Sequence, residues 1–343
     1  MKYIMIYILV FIVFPVAFFF PFHIRKKNEY TEILNKNDTY VLRGFAAVAV
    51  MIAHYVVYSM AEAGDLRGLI SVWKWAGGLG VCIFFFCSGY GLLLSTANKE
   101  INKQFLWKRL KSILPTYWLL RLMSALLLNE MKNGVWDFIL YVVGIKRPAW
   151  FVTEILLVYL LFYISVKVSK KKEILVMTVM LTVMSFFFFL LGFEAMWYNA
   201  NLLFALGMIF ARYKESCIHW FCEKYFLKMV VVFFLFCLLA GIFVTLKING
   251  ISCDGIKLLA GGGVCIILFQ VLIKLKLESV SMIFIGRNSL QLYLIHSNIW
   301  AFCSQGNVFV NVQLKFCICV AMSLLCVWLY DVGRRMIKNF ACK

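Results

Sequence analysis

An arginine and a histidine eleven residues apart, Arg43 and His54, lie in RGFAAVAVMIAH, a stretch otherwise apolar enough to sit inside a membrane. That spacing is close to three helical turns, so both side chains fall on nearly one helix face, about 16 Å apart along the axis. An ionisable group within the hydrocarbon costs several kcal/mol unless it faces a partner or a wet cavity, so the pair reads first as a functional site. An imidazole takes up a proton near neutral pH, which suits His54 to general-base work. Arg43 suits the binding of an anionic group or the steadying of developing negative charge. The other helices are expected to wrap the one that carries this pair.

Four further groups accompany the pair, each with a plain structural explanation beside a functional one. In Phe84-Phe85-Phe86-Cys87-Ser88-Gly89-Tyr90-Gly91 the small residues suit close helix packing, and equally Ser88 could border a ligand cavity. Lys108, Arg109 and Lys111 stand beside Trp107 at a helix entrance that continues to Pro115 and Tyr117. Cations there obey the positive-inside rule, and a cluster of three also makes a phosphate clamp. Glu154 follows Trp150 by four residues. It could pair with Arg121 or Arg43 for structure, or orient a catalytic histidine, and the sequence does not decide between these. Ser289, Tyr293 and His296 are spaced four and three apart and share one helix face, either as a cavity lining or as an interhelical hydrogen-bond seam. His23 and His219 stand in polar connections and read as solvated surface.

These side chains need a scaffold, and composition says which kind. The 343 residues are 64% apolar and 17% aromatic, far above the roughly 45–50% apolar share of soluble domains. The expected fold is all-α, a polytopic transmembrane helical bundle of about 10–11 spans. The spans fall near 3–22, 40–60, 76–96, 112–128, 150–166, 174–193, 197–211, 229–246, 257–273, 283–300 and 310–330. The first reads as an uncleaved anchor, because no small-residue cleavage pattern follows its apolar run. Residues 1–39 then form an anchor and basic connection, 40–330 the membrane domain, and 331–343 a cytoplasmic basic tail.

The formal charge of +19 is a topology signal here rather than a sign of nucleic acid, because the cations are sorted by connection. Alternate connections and the C-terminus carry most of the lysines and arginines, which places that terminus and Arg43 on the cytoplasmic side of the cell membrane and the N-terminus outside. Most of the twelve cysteines lie in apolar segments and none forms a CxxC pair, so no metal or redox centre is expected. No internal repeat is evident.

Together these segments resemble the acyltransferase 3 family, polytopic enzymes that acylate extracytoplasmic carbohydrates and related molecules from a cytoplasmic acyl-CoA donor. The resemblance spans about residues 40–330. It rests on the Arg43 and His54 spacing, the FFxxSG pattern at Phe84, Phe85, Ser88 and Gly89, the basic entrance ending in Pro115 and Tyr117, and the SxxxYLxH-like stretch from Ser289 to His296. Two positions depart from the family pattern. Where members commonly show two arginines three apart ahead of the proline, Arg109 matches and Ser112 takes the second place. Where many have a glutamate five residues after the tryptophan, Glu154 comes after four.

The resemblance implies an O-acyltransferase that uses acyl-CoA, with acetyl as the group, and a cell-surface polysaccharide or glycolipid hydroxyl as acceptor, with no bound cofactor. His54 is then the expected base and Arg43 its partner at the donor. Lys108, Arg109 and Lys111 gather the donor's phosphates, and Ser88, Glu154, Ser289, Tyr293 and His296 line the acceptor side or the cavity. The alternative from another class is a transporter or flippase for a glycan-related substrate, with His54, Glu154 and Arg121 as a proton or substrate path.

Overall fold

The computed structural model describes residues 3–63, 69–97, 101–147, 149–251, 253–305 and 311–341. In a bilayer every backbone N–H and C=O must be satisfied within its own segment, so long apolar runs fold as helices. An apolar N-terminal helix, Ile4–Phe19, consists of α1 (Ile4–Ile8), a π-helical turn over Leu9–Val13 and α2 (Phe14–Phe19). Then come α3 (Lys36–Ala63), α4 (Ala76–Thr96), α5 (Lys103–Leu127), α6 (Val135–Val143) and α7 (Trp150–Val168). They are followed by α8 (Glu173–Leu190), α9 (Leu202–Arg212), α10 (Lys214–Cys222), α11 (Tyr225–Ile248) and α12 (Asp254–Lys274). The chain closes with α13 (Val280–Arg287), α14 (Ser289–Cys303) and α15 (Val312–Ala341). The β-structure among the described residues is one antiparallel pair, β1 (Phe22–Ile24) against β2 (Leu275–Leu277).

The molecule is the all-α membrane bundle expected. Among the described residues seven helices are long and apolar enough to cross a membrane, those of α3, α4 (with the turn from Val72 that leads into it), α7, α8, α11, α12 and α15. Helix also occupies the four other expected spans, with different limits. The span near 112–128 begins earlier, as the 25-residue α5, and that near 197–211 contracts to the 11-residue α9. The span near 283–300 is two helices, broken at Asn288, whose backbone (φ −111°, ψ 25°) leaves the helical region and whose Nδ2 donates back to the Phe284 carbonyl at 3.1 Å. Residues from 331 onward, set apart in the sequence as a tail, continue α15 as far as Ala341, and 342–343 lie outside the described residues.

Other helices do wrap α3. In the membrane windows of α3 and α4, 72% of residues are buried, against 6% in α11, so α3 and α4 are the core and α11 a peripheral helix. Glycines set how closely the core helices approach. A Cβ on Gly44 would collide with the Met282 carbonyl, and one on Gly286 with that of Tyr40, so α3 and α13 meet backbone to backbone. Gly89 and Gly207 do the same for α4 and α9, against Phe204 and Phe86.

Two polar clusters mark opposite ends of α3. At its start, Arg25 and Asp38 form a buried ion pair at 2.6 Å, next to the β1–β2 pair, and Ser279 Oγ donates to the Ala17 carbonyl. At its far end Glu62 accepts from Lys315 Nζ at 2.7 Å and from Trp300 Nε1 at 3.0 Å. The N-terminal helix runs between these ends, with Phe14 and Phe18 packed on Phe45 at 5.3 and 4.5 Å and the Met5 N–H donating to Gln313 Oε1 at 3.2 Å.

Candidate active site

The site is built where α14 lies along α3 in the same direction. Arg43 Nη2 donates to Ser289 Oγ at 3.0 Å. Further along, His54 Nδ1 lies 2.6 Å from His296 Nε2, with the rings stacked at a centroid distance of 4.9 Å and 12° between planes. The two pairs are about 16 Å apart on α3 but only about 10 Å apart on α14, and the reach of the Arg43 side chain makes up the difference.

The hydrogen bonds fix where protons sit. His296 Nδ1 is 3.0 Å from the Leu292 carbonyl, and a carbonyl only accepts, so Nδ1 carries the hydrogen. With both rings neutral, His296 Nε2 is an acceptor and the proton between the rings belongs to His54 Nδ1. That leaves His54 Nε2 as the unprotonated nitrogen, a base oriented by a second histidine. The pair is held from behind. Tyr55 OH donates to the His296 carbonyl at 2.9 Å and pairs with Ser323 Oγ at 2.7 Å. Ser297 Oγ, 3.2 Å from His296 Nε2, accepts from Tyr58 OH at 3.2 Å. His296 is 1% exposed while His54 is half-buried, so of the two rings His54 is the one a substrate can reach.

At the other end of the same face lies a cavity of about 280 Å³. Arg43, Arg109, Arg287 and Arg334 are among its polar lining, with Ser88, Ser112, Ser289 and Gln291, and Phe84, Phe151, Tyr159 and Tyr293 are among its aromatic walls. Tyr293 connects the two regions, because it lines the cavity while its ring lies 6.1 Å from that of His296 and 5.3 Å from that of Phe151. Arg109 is steadied by the faces of Phe105 and Tyr159, at 5.3 and 5.8 Å. A cavity edged by four guanidiniums can hold a multiply charged anion, and a base some three turns away can take a proton from a hydroxyl.

Of the residues singled out in the sequence, Arg43, Ser88, Arg109, Ser289 and Tyr293 therefore share one cavity, and His54 and His296 form one pair. Lys108 and Lys111 do not join them. Both are exposed, and Lys111 Nζ lies over the Trp107 ring at 5.2 Å. Helix geometry explains the split, since neighbouring positions point about 100° apart. Glu154 is fully buried, and among the described residues its carboxylate makes no hydrogen bond to either histidine; its polar neighbour is Asn201. The pairing of Glu154 with Arg121 does not form. Arg121 instead donates to the carbonyls of Tyr141, Lys146 and Arg147, at and just beyond the C-terminal end of α6, where unpaired helix carbonyls favour a cation. His23 and His219 are on the surface, with Nδ1 3.3 and 3.4 Å from the carboxylates of Glu278 and Glu223.

Three polar cavity residues were not singled out in the sequence, Arg287, Gln291 and Arg334. Arg287 sits two residues before Ser289 and could have been found from that motif. Arg334 gave no signal, because a cation near the end of a last helix is what topology alone demands.

A family model described as an acyltransferase domain, that of acyltransferase 3, matches residues 40–332. The chain belongs to the acyltransferase 3 family. It is a multi-pass membrane acyltransferase, and the residues of the cavity and of the histidine pair all fall inside the matched region except Arg334, two residues beyond its end. The helix Ile4–Phe19 and the Arg25 contact lie before it. No curated protein and no solved structure matches the chain.

Proposed function

We propose that this acyltransferase moves an acetyl group from acetyl-CoA to a hydroxyl of a cell-surface polysaccharide or glycolipid. The observation that carries this reading is the His54–His296 pair, which presents one unprotonated imidazole nitrogen at the end of a helix face whose other end opens into an arginine-lined cavity. His54 Nε2 takes the proton of the acceptor hydroxyl as its oxygen attacks the thioester carbonyl carbon. The tetrahedral intermediate collapses with cleavage of the C–S bond, and the protonated His54 returns its proton to the departing thiolate of CoA. Arg43 and Arg109 hold the donor's diphosphate, while Ser88, Ser289 and Tyr293 line the passage of the pantetheine arm. Lys108 and Lys111, on the outer face of the same helix entrance, draw the polyanionic donor toward the cavity. The roughly 16 Å from Arg43 to His54 suits an extended pantetheine.

The charge asymmetry supports a cytoplasmic-membrane location with the arginine cavity and C-terminus facing the cytoplasm and the N-terminus outside. The test is transfer of label from acetyl-CoA into envelope glycan by membranes carrying the native chain or His54→Ala at equal abundance. Label with the native chain and none with the variant is expected. Equal incorporation would remove His54 from the mechanism. Movement of a glycan substrate without consumption of acyl-CoA would replace the whole reading with a transporter.

A further inference from the structure

Arg287 and Arg334 belong to two chambers at once. They line the inner cavity beside Arg43 and Arg109, where no carboxylate joins the lining among the described residues. With Arg335 and Asp331 they also line an outer groove of about 440 Å³. The two chambers therefore adjoin, with these two cations between them. Asp331 accepts from Arg334 Nη2 at 2.7 Å and from Arg335 Nε at 2.8 Å, which positions both guanidiniums and still leaves the region strongly positive. Cations gathered so closely repel one another unless an anion with several charges lies among them.

The helix register brings Arg334 and Ser112 to one level of the cavity. Thr116 Oγ1 on α5 and Tyr330 OH on α15 are hydrogen-bonded at 2.9 Å. One turn from Thr116 is Ser112, one turn from Tyr330 is Arg334, and both line the cavity. Ser112 Oγ donates to the Arg109 carbonyl at 2.8 Å, so α5 offers no cation at that position.

We propose that Arg334, together with Arg287, supplies the cation that α5 lacks at Ser112, and that this outer pair binds the 3′-phosphate of the donor's adenosine. The inference rests on acyl-CoA being the donor. With the diphosphate at Arg43 and Arg109, the 3′-phosphate is the one anionic group left, and it lies at the end of the donor farthest from the thioester, where the inner cavity adjoins the outer groove.

The experiment compares acetyl-CoA with 3′-dephospho-acetyl-CoA on the full-length chain in detergent or membranes. The native chain is expected to prefer acetyl-CoA in kcat/KM by about tenfold, the range of one or two charge-assisted hydrogen bonds. Arg334→Gln should lower kcat/KM for acetyl-CoA by about tenfold through KM, and far less for the dephospho donor, so that the preference collapses. Ser112→Arg in the Arg334→Gln background should restore part of it, and Arg287→Gln gives the same readout should Arg334→Gln fold poorly. Equal loss with both donors would mark Arg334 as structural and overturn the proposal, as would a native chain indifferent to the 3′-phosphate. A native chain that uses neither donor would overturn the acyl-CoA reading itself, and this inference with it.

Discussion

His54 is made a base by its neighbour. Alone on α3, its imidazole could carry its proton on either nitrogen, and only one choice leaves a lone pair for a substrate. His296 removes that freedom by committing its own Nδ1 to the Leu292 carbonyl. His296→Ala is therefore expected to lower kcat by about 10²–10⁴-fold, the range for loss of a residue that orients or serves a general base, with the donor KM within about twofold of native. His296→Gln, whose side-chain oxygen can still accept, should recover part of the rate. Single-turnover kinetics with labelled donor measure both, and an unchanged kcat would reduce His296 to a packing residue. Ser289→Ala should act differently. It removes the partner of Arg43 Nη2 and is expected to raise donor KM severalfold while leaving kcat near native, as read from initial-rate kinetics.

At the scale of helices, the site depends on how closely a few backbones can approach. Gly44 and Gly286 let α13 rest directly on α3, and α13 ends at Arg287, one residue before the break that starts α14. Any spacing of α13 from α3 would move Arg287, and with it the register of Ser289 and His296. Gly286→Ala should therefore destabilise the fold by about 1–3 kcal/mol, as an overpacked core does, and reduce activity as well. Gly91→Ala is the control, because a Cβ there meets open space and alanine is the better helix former by about 1 kcal/mol. Thermal unfolding in detergent should show a lower Tm for the first and an unchanged or higher one for the second. If Gly286→Ala matched Gly91→Ala, the backbone contact would not govern the site.

Across the whole molecule, the segment before α3 is fastened at two places, to the start of α3 by the Arg25–Asp38 pair and to α15 by the Met5–Gln313 hydrogen bond. The buried Arg25–Asp38 pair is the sharpest test of that attachment. Removing one partner strands a charge in a low-dielectric surrounding, so Asp38→Asn is expected to cost about 3–5 kcal/mol, whereas Arg25→Met with Asp38→Leu should recover most of it. Chemical or thermal denaturation of the purified variants measures this, and equal loss in the single and double variants would show that packing rather than charge holds the segment.

The sequence by itself determined that this is a membrane bundle, because burial of so many apolar residues in helices of about 20 is a local property that composition and run length express directly. It also determined Arg43 with His54, and Ser289 with Tyr293 and His296, because residues on one helix face are related by a fixed period. Tertiary structure alone decided which faces meet. It brought two histidines 242 positions apart within 2.6 Å, turned Arg109 inward and Lys108 and Lys111 outward, satisfied Arg121 with carbonyls instead of Glu154, and put Arg334 and Ser112 in the lining of one cavity. Those outcomes depend on the rotation and spacing of whole helices. These are set by glycine contacts and polar clusters between segments distant in sequence, and no local period encodes them.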